Sequence, residues 1–200
     1  MPQPPAAPVD SPAIFVVLNA ASGSDSVDQT RETIAAVLES AGCRHRIFVA
    51  GRDGSPGQLA VQAVALARST GAGAVVAAGG DGTINTVAQA VLDADPTLGF
   101  GVIAQGTFNY FARVHSLPLE PEAATRLLLT GRPQPVQIGL VNERVFLVNA
   151  SLGLYPALLE DREAWKRKLG RSRPVAFLAG LLSLLGEHRQ LHIGLECDGV

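Results

Sequence analysis

Between Ala13 and Gly131 the chain alternates short unbroken apolar runs with longer stretches whose apolar positions recur every three or four residues. Unbroken runs predict strands buried on both faces, and the helical stretches between them supply the cover. The pattern therefore predicts an α/β layer fold with a mostly parallel sheet. Strands are expected at Ile14 to Leu18, Arg46 to Ala50, Ala74 to Ala78 and Phe100 to Ala104. Ser26-Val-Asp-Gln29 has the form of a capping box that opens the first helix, and Gly42 closes it. Pro56 to Ser69 predicts a second helix, an amphipathic helix follows the third strand, and Pro121 and Gly131 frame another.

After Pro135 the pattern changes. Val136 to Leu140 and Arg144 to Val148 are apolar runs separated by a short polar break, which predicts an antiparallel hairpin rather than a further βα unit. The expected division is a disordered tail over 1–12, a nucleotide-binding domain over 13–134 and the first part of a β-rich, sandwich-like domain over 135–200. Within the last, Pro174 to Gly186 predicts a helix, and Leu191, Ile193, Leu195 and Cys197 alternate as one face of a strand. Asp198-Gly199 is a hairpin-turn signal with no return strand, so this domain is expected to be truncated at Val200.

Composition narrows the function classes. With 16 Lys plus Arg against 18 Asp plus Glu and 47% hydrophobic residues, the chain is a globular one without the broad basic field of a nucleic-acid partner. Cys43 and Cys197 have neither zinc nor disulfide-framework spacing, and a reducing cytoplasm is the expected compartment. The histidines show no metal-ligand spacing and are read as structural.

The chemistry concentrates in three polar turns, each at the carboxyl end of an expected strand, where α/β sheets bind ligands. In Gly79-Gly-Asp-Gly-Thr-Ile-Asn85, the glycines Gly79, Gly80 and Gly82 permit close backbone approach, and the following helix N-terminus attracts phosphate oxygens. Thr83 and Asn85 add side-chain donors, and Asp81 brings a carboxylate able to act as base or to orient a metal-bound water. The plainer reading of these residues is a tight turn with Asp81 as a helix cap. Neither a dinucleotide fingerprint nor a P-loop is present. The second turn, Gln105 to Arg113, offers Gly106 and Thr107 to the same crevice, with Asn109 placed to bond the first loop at Asp81 and Arg113 open to a phosphate or a structural partner. Asn19, Ser22 and Gly23 form a third polar turn, weak by itself.

In this order these motifs resemble the catalytic domain of the diacylglycerol kinase superfamily, which includes bacterial lipid kinases and sphingosine kinases. The likeness covers Ile14 to Pro118 and continues more loosely through Asn149 to Gly153 and Leu169 to Arg171. It implies an NAD-kinase-like three-layer domain, binding of ATP by Asn19, Ser22, Gly23, Gly79 to Asn85, Gly106, Thr107 and Asn109, Asp81 as the essential acid, and Mg²⁺-assisted transfer of the γ-phosphate to a lipid hydroxyl. Three departures stand out: Ala20 replaces the usual proline of the first turn, Tyr110 replaces a common aspartate, and Gln137 replaces another. The family's later catalytic glutamate and metal-associated residues are expected beyond Val200, so these residues alone are expected to bind nucleotide with little turnover. An NAD kinase, which shares the Gly-Gly-Asp-Gly loop, and a nucleotide-binding module without turnover remain as alternatives.

Arg162, Lys166, Arg167, Lys168, Arg171 and Arg173 form a basic cluster ahead of the apolar run Val175 to Leu185. A solvated helix face followed by a core helix is the favoured reading. Peripheral contact with an anionic membrane, with Trp165 at the interface, is the alternative. The longest apolar run is too short to cross a bilayer.

Overall fold

The computed structural model describes residues 13–19, 24–71, 73–151, Gly194 and Glu196. In chain order the elements are β1 (Ala13–Asn19), α1 (Ser24–Ser40), β2 (Arg44–Val49), α2 (Pro56–Ser69), β3 (Gly73–Gly79), α3 (Asp81–Ala94), β4 (Gly99–Ala104), α4 (Tyr110–Val114), α5 (Pro121–Thr130), β5 (Gly139–Val141) and β6 (Arg144–Phe146). The first four strands form one parallel sheet in the order β2-β1-β3-β4.

Strand alternation sorts the core into two layers. Phe15, Val17, Val75, Ala77, Val102 and Ala104 turn to one face, where Leu59, Ala63 and Ala67 of α2 and Ile84, Val87 and Val91 of α3 cover them. Val16, Leu18, Val76, Ala78 and Ile103 turn to the other, against Ile34 and Leu38 of α1 and Ala124 of α5. Small residues at Ala77 and Ala78 let helices approach the middle of the sheet, and the bulk comes from the β-branched strand residues around them. The result is the expected three-layer α/β arrangement.

Several boundaries differ from expectation for local reasons. α1 opens at Ser24 rather than Ser26. A complete capping box forms on α2, where Ser55 Oγ accepts from the Gln58 backbone N–H and the Gln58 side chain accepts from the Ser55 N–H. β2 runs from Arg44 to Val49, and Ala50 falls in an isolated bridge to Gly54. α4 is a single turn, too short to register as a period in the sequence. The expected hairpin is present and antiparallel, but its pairing runs only from Gly139↔Phe146 to Val141↔Arg144. Its turn residues, Asn142 and Glu143, both take positive φ, at 47° and 65°. Gln89 of α3 holds that turn: its Oε1 accepts from the Val145 N–H at 2.7 Å, and its Nε2 donates to the Glu143 carbonyl at 3.2 Å.

By backbone proximity the chain divides after Val148, so the hairpin falls within the first unit. The tail over 1–12, the basic cluster, Trp165, the apolar run at 175–185 and the Asp198-Gly199 turn lie outside the described residues. Among the described residues, no helix is long and apolar enough to cross a membrane.

Candidate functional site

The strand order reverses direction between β1 and β3: the chain leaves β1 toward β2 on one side and returns to β3 on the other. At such a switch point the loops at the carboxyl ends part, and a crevice opens between them. Asn19 ends β1 opposite Gly79 at the end of β3, and Gly79 in turn pairs with Ala104 at the end of β4. All three polar turns found in the sequence therefore leave the sheet at the same edge.

Besides the main-chain bond from the Gln105 N–H to the Gly79 carbonyl at 2.8 Å, side-chain hydrogen bonds tie these turns to one another and to α1. Asn19 Nδ2 donates to Thr83 Oγ1 at 2.9 Å, linking the end of β1 to the first turn of α3. The Phe111 N–H donates to Asp81 Oδ1 at 3.3 Å, linking the head of α3 to α4. Thr30 Oγ1 donates to Gln105 Oε1 at 3.4 Å, linking α1 to the loop after β4. Thr30 and Gln105 gave no sequence signal, because a helix threonine and a strand-end glutamine are ordinary until the fold sets them side by side.

Glycine sets the spacing. A Cβ at Gly79 would stand 2.8 Å from Thr83 Cβ and 2.9 Å from the Asn19 carbonyl oxygen, so only glycine lets α3 start this close to β1. A Cβ at Gly106 would stand 2.8 Å from Gly80 Cα and 2.9 Å from Asn109 Oδ1, which puts the two glycine loops backbone to backbone. Gly82 differs: it is exposed, and a Cβ there would meet nothing within 4 Å. Among the described residues there is no steric reason for glycine at that position. An open approach to backbone N–H groups is what a phosphate requires. No side-chain cap bond forms at the N-terminus of α3, and Gly80 is its N-cap residue.

The expected site residues divide into two groups. Thr83 is 6% exposed and its hydroxyl accepts the Asn19 amide, and Asn109 is 7% exposed. Asn109 was expected to bond the first loop at Asp81. Instead its Oδ1 accepts from the Gly106 N–H at 2.8 Å, closing its own loop from a left-handed backbone at φ 52° and ψ 44°. Asparagine tolerates that conformation better than most residues. Asp81 reaches the second loop through the Phe111 N–H instead. In contrast, Gly82 and Thr107 are exposed and Asn85 is half-buried. Arg113 donates from Nε to the Phe108 carbonyl at 2.9 Å, the structural option. Ser22 and Gly23 lie outside the described residues.

Beside this edge, Arg52 after β2 forms a two-point ion pair with Asp28 of α1, at 2.6 and 2.8 Å. The hydrogen bond from Arg52 holds the Asp28 carboxyl below its usual range and raises the guanidinium above its own. Among the described residues no three or more His, Cys, Asp or Glu side chains gather as a metal cage. Asp81 offers one carboxylate, and among the described residues only its Oδ1 is engaged. A single carboxylate beside phosphates fits the way Mg²⁺ is commonly held.

The parallel sheet and the acid at the head of α3 define an α/β domain with a glycine-rich strand-to-helix loop at its topological switch point. The chain belongs to the family of diacylglycerol kinase catalytic domains, which it matches over residues 13–141. It is 36% identical over 117 residues to a probable YegS-like lipid kinase of Serratia proteamaculans, covering 57% of this chain and 38% of that protein. It is 31% identical over 165 residues to the probable lipid kinase YegS of Escherichia fergusonii, covering 80% of this chain and 53% of that one. The fold is that of a diacylglycerol kinase from Bacillus anthracis, with a TM-score of 0.58 at 19% identity over 68% of this chain and 45% of the other. The chain thus spans about half the length of the curated relatives it matches.

Proposed function

We propose that this chain is the nucleotide-binding part of an ATP-dependent lipid kinase, transferring the γ-phosphate of ATP to the hydroxyl of diacylglycerol or a related lipid. The observation that carries the reading is the meeting of the Gly80 and Gly106 backbones beside Asp81, at the switch point of a parallel sheet. It is supported by membership in the family and by the probable lipid kinases among its relatives.

In this reading the exposed backbone around Gly82 and the N-terminus of α3 receive the phosphates, with Asn85 and Thr107 adding donors. Phosphoryl transfer is mostly positioning and charge stabilisation, and these groups serve both. Thr83 and Asn109, buried and engaged, hold the loops in place. Asp81 would hold Mg²⁺ together with the phosphates and orient the acceptor hydroxyl; the ion supplies neutralisation of charge developing on the transferred group. We place the nucleotide-binding domain at 13–134 and the start of a second, β-rich domain at 135–200.

Incubation of the intact protein with labelled ATP, Mg²⁺ and a panel of diacylglycerol, sphingoid base, phosphatidylglycerol and NAD tests the reading. Label on a lipid is the expected outcome. Label on NAD alone defeats it, and ATP binding without label on any acceptor favours a module without turnover.

A further inference from the structure

The loop after β4 carries an apolar surface that the nucleotide chemistry does not use. Phe108 and Tyr110 are 49% and 44% exposed, and their rings stack nearly parallel, 6° apart in plane with centroids 5.3 Å apart. Val114, one helical turn beyond Tyr110 on α4, is 66% exposed and shares its face. Arg113 lies against the same group through its Nε bond to the Phe108 carbonyl. From Gln105 to Leu119 the segment holds Arg113 and His115 and no acidic residue, in a chain whose net charge is −2. The backbone next to Tyr110 is bonded to Asp81, so this patch lies beside the head of α3.

We propose that Phe108, Tyr110, Val114 and Arg113 form a membrane-docking edge that seats the crevice on an anionic bilayer. Two stacked aromatic rings and a valine supply the apolar part that enters the headgroup boundary, and Arg113 supplies the attraction to anionic lipid. Charge selects this partner: the segment that carries the patch holds a cation and no acid of its own, which suits an anionic surface, and the rest of the chain carries the excess of acids. The position serves a kinase whose acceptor lies in the bilayer, because a docked loop one residue from the Asp81 contact holds the mouth at the depth of the lipid hydroxyl. The choice of partner rests on the lipid-kinase reading, but binding to vesicles does not require turnover.

The test is co-sedimentation of the intact protein with vesicles of phosphatidylcholine alone and of phosphatidylcholine with phosphatidylglycerol, without nucleotide. Nucleotide binding measured in parallel confirms that each variant is folded. Wild type is expected to sediment with the anionic vesicles. Phe108→Ser with Val114→Ser should weaken that binding about tenfold or more, in line with the apolar area removed. Arg113→Gln should reduce the preference for anionic over neutral vesicles. Wild-type binding by folded variants overturns the proposal, as does loss of binding only on neutralising Arg162 to Arg173. It also fails if the protein ignores vesicles and the Phe108/Val114 changes instead convert a dimer to a monomer, which assigns the patch to a second copy. A kinase assay with no lipid label defeats the functional reading instead, and leaves the vesicle result to stand or fall separately.

Discussion

Asn19 and Thr83 stand 64 residues apart in sequence, and the amide of the first donates to the hydroxyl of the second at 2.9 Å. The bond fixes the end of β1 against the head of α3, so the gap between the end of β1 and the loop after β3 is set by a buried threonine. Thr83→Val keeps the shape and removes the acceptor, leaving a part-buried amide without its partner. The expected cost is about 1–2 kcal/mol of stability, together with weaker ATP binding. Thr83→Ser should recover both, as read by thermal unfolding and calorimetric titration.

The glycines of the first loop should respond in opposite ways. Gly79→Ala drives a methyl group into Thr83 and the Asn19 carbonyl, at a cost of about 1–3 kcal/mol. Gly82→Ala meets nothing and should raise stability by up to roughly 1 kcal/mol, as for glycine replaced in a helix. If phosphate approaches the backbone there, the same change weakens nucleotide binding about tenfold or more, equivalent to a lost hydrogen bond to a charged group. Melting curves with and without ATP separate the two effects. Gly82→Ala with unchanged affinity would remove Gly82 from the phosphate site.

Asp81→Asn preserves an oxygen to accept from the Phe111 N–H while removing the charge. Folding and ATP binding should survive, and lipid phosphorylation should fall about a hundredfold or more, the range for loss of a positioned acid–base group. Asp81→Ala should additionally loosen α4, seen as faster hydrogen exchange at Phe111.

Asp28 titrates below the ordinary carboxylate range because Arg52 holds its charged form. Its contribution to stability is therefore present above the unfolded value of about 3.9 and is lost as pH falls through the lower folded value. Arg52→Ala should return the Asp28 carboxyl to the ordinary range in an NMR titration, and high salt should shift it the same way because the pair is exposed.

Gln89→Ala releases the turn at Asn142 and Glu143, whose positive φ angles are costly for side-chain-bearing residues. The Val145 N–H should then exchange markedly faster, while amides of the parallel sheet keep their protection.

The layer architecture was legible because burial on both faces writes unbroken apolar runs, as in Ile14 to Leu18, and because Pro56 and Pro121 mark helix starts chemically. The glycine loops after β3 and β4 were legible because glycine and aspartate at strand ends have few uses. Partners were not. Asn109 looked free to reach Asp81, yet its left-handed backbone turns its oxygen back to Gly106, and the link to Asp81 is made by a main-chain N–H that no side-chain pattern encodes. The burial of Thr83, which depends on Gly79 letting α3 start against β1, was likewise not written in the motif. The short α4 and the trimmed hairpin escaped for want of length.

For anyone redesigning the nucleotide preference proposed above, the close approach of the two glycine loops separates fixed positions from adjustable ones. Positions 79 and 106 admit no side chain without moving main chain, so diversity introduced there selects against folding before it selects for any ligand. Position 82 has open space among the described residues and position 107 is exposed, so a library confined to them would vary the proposed donor site on an intact scaffold.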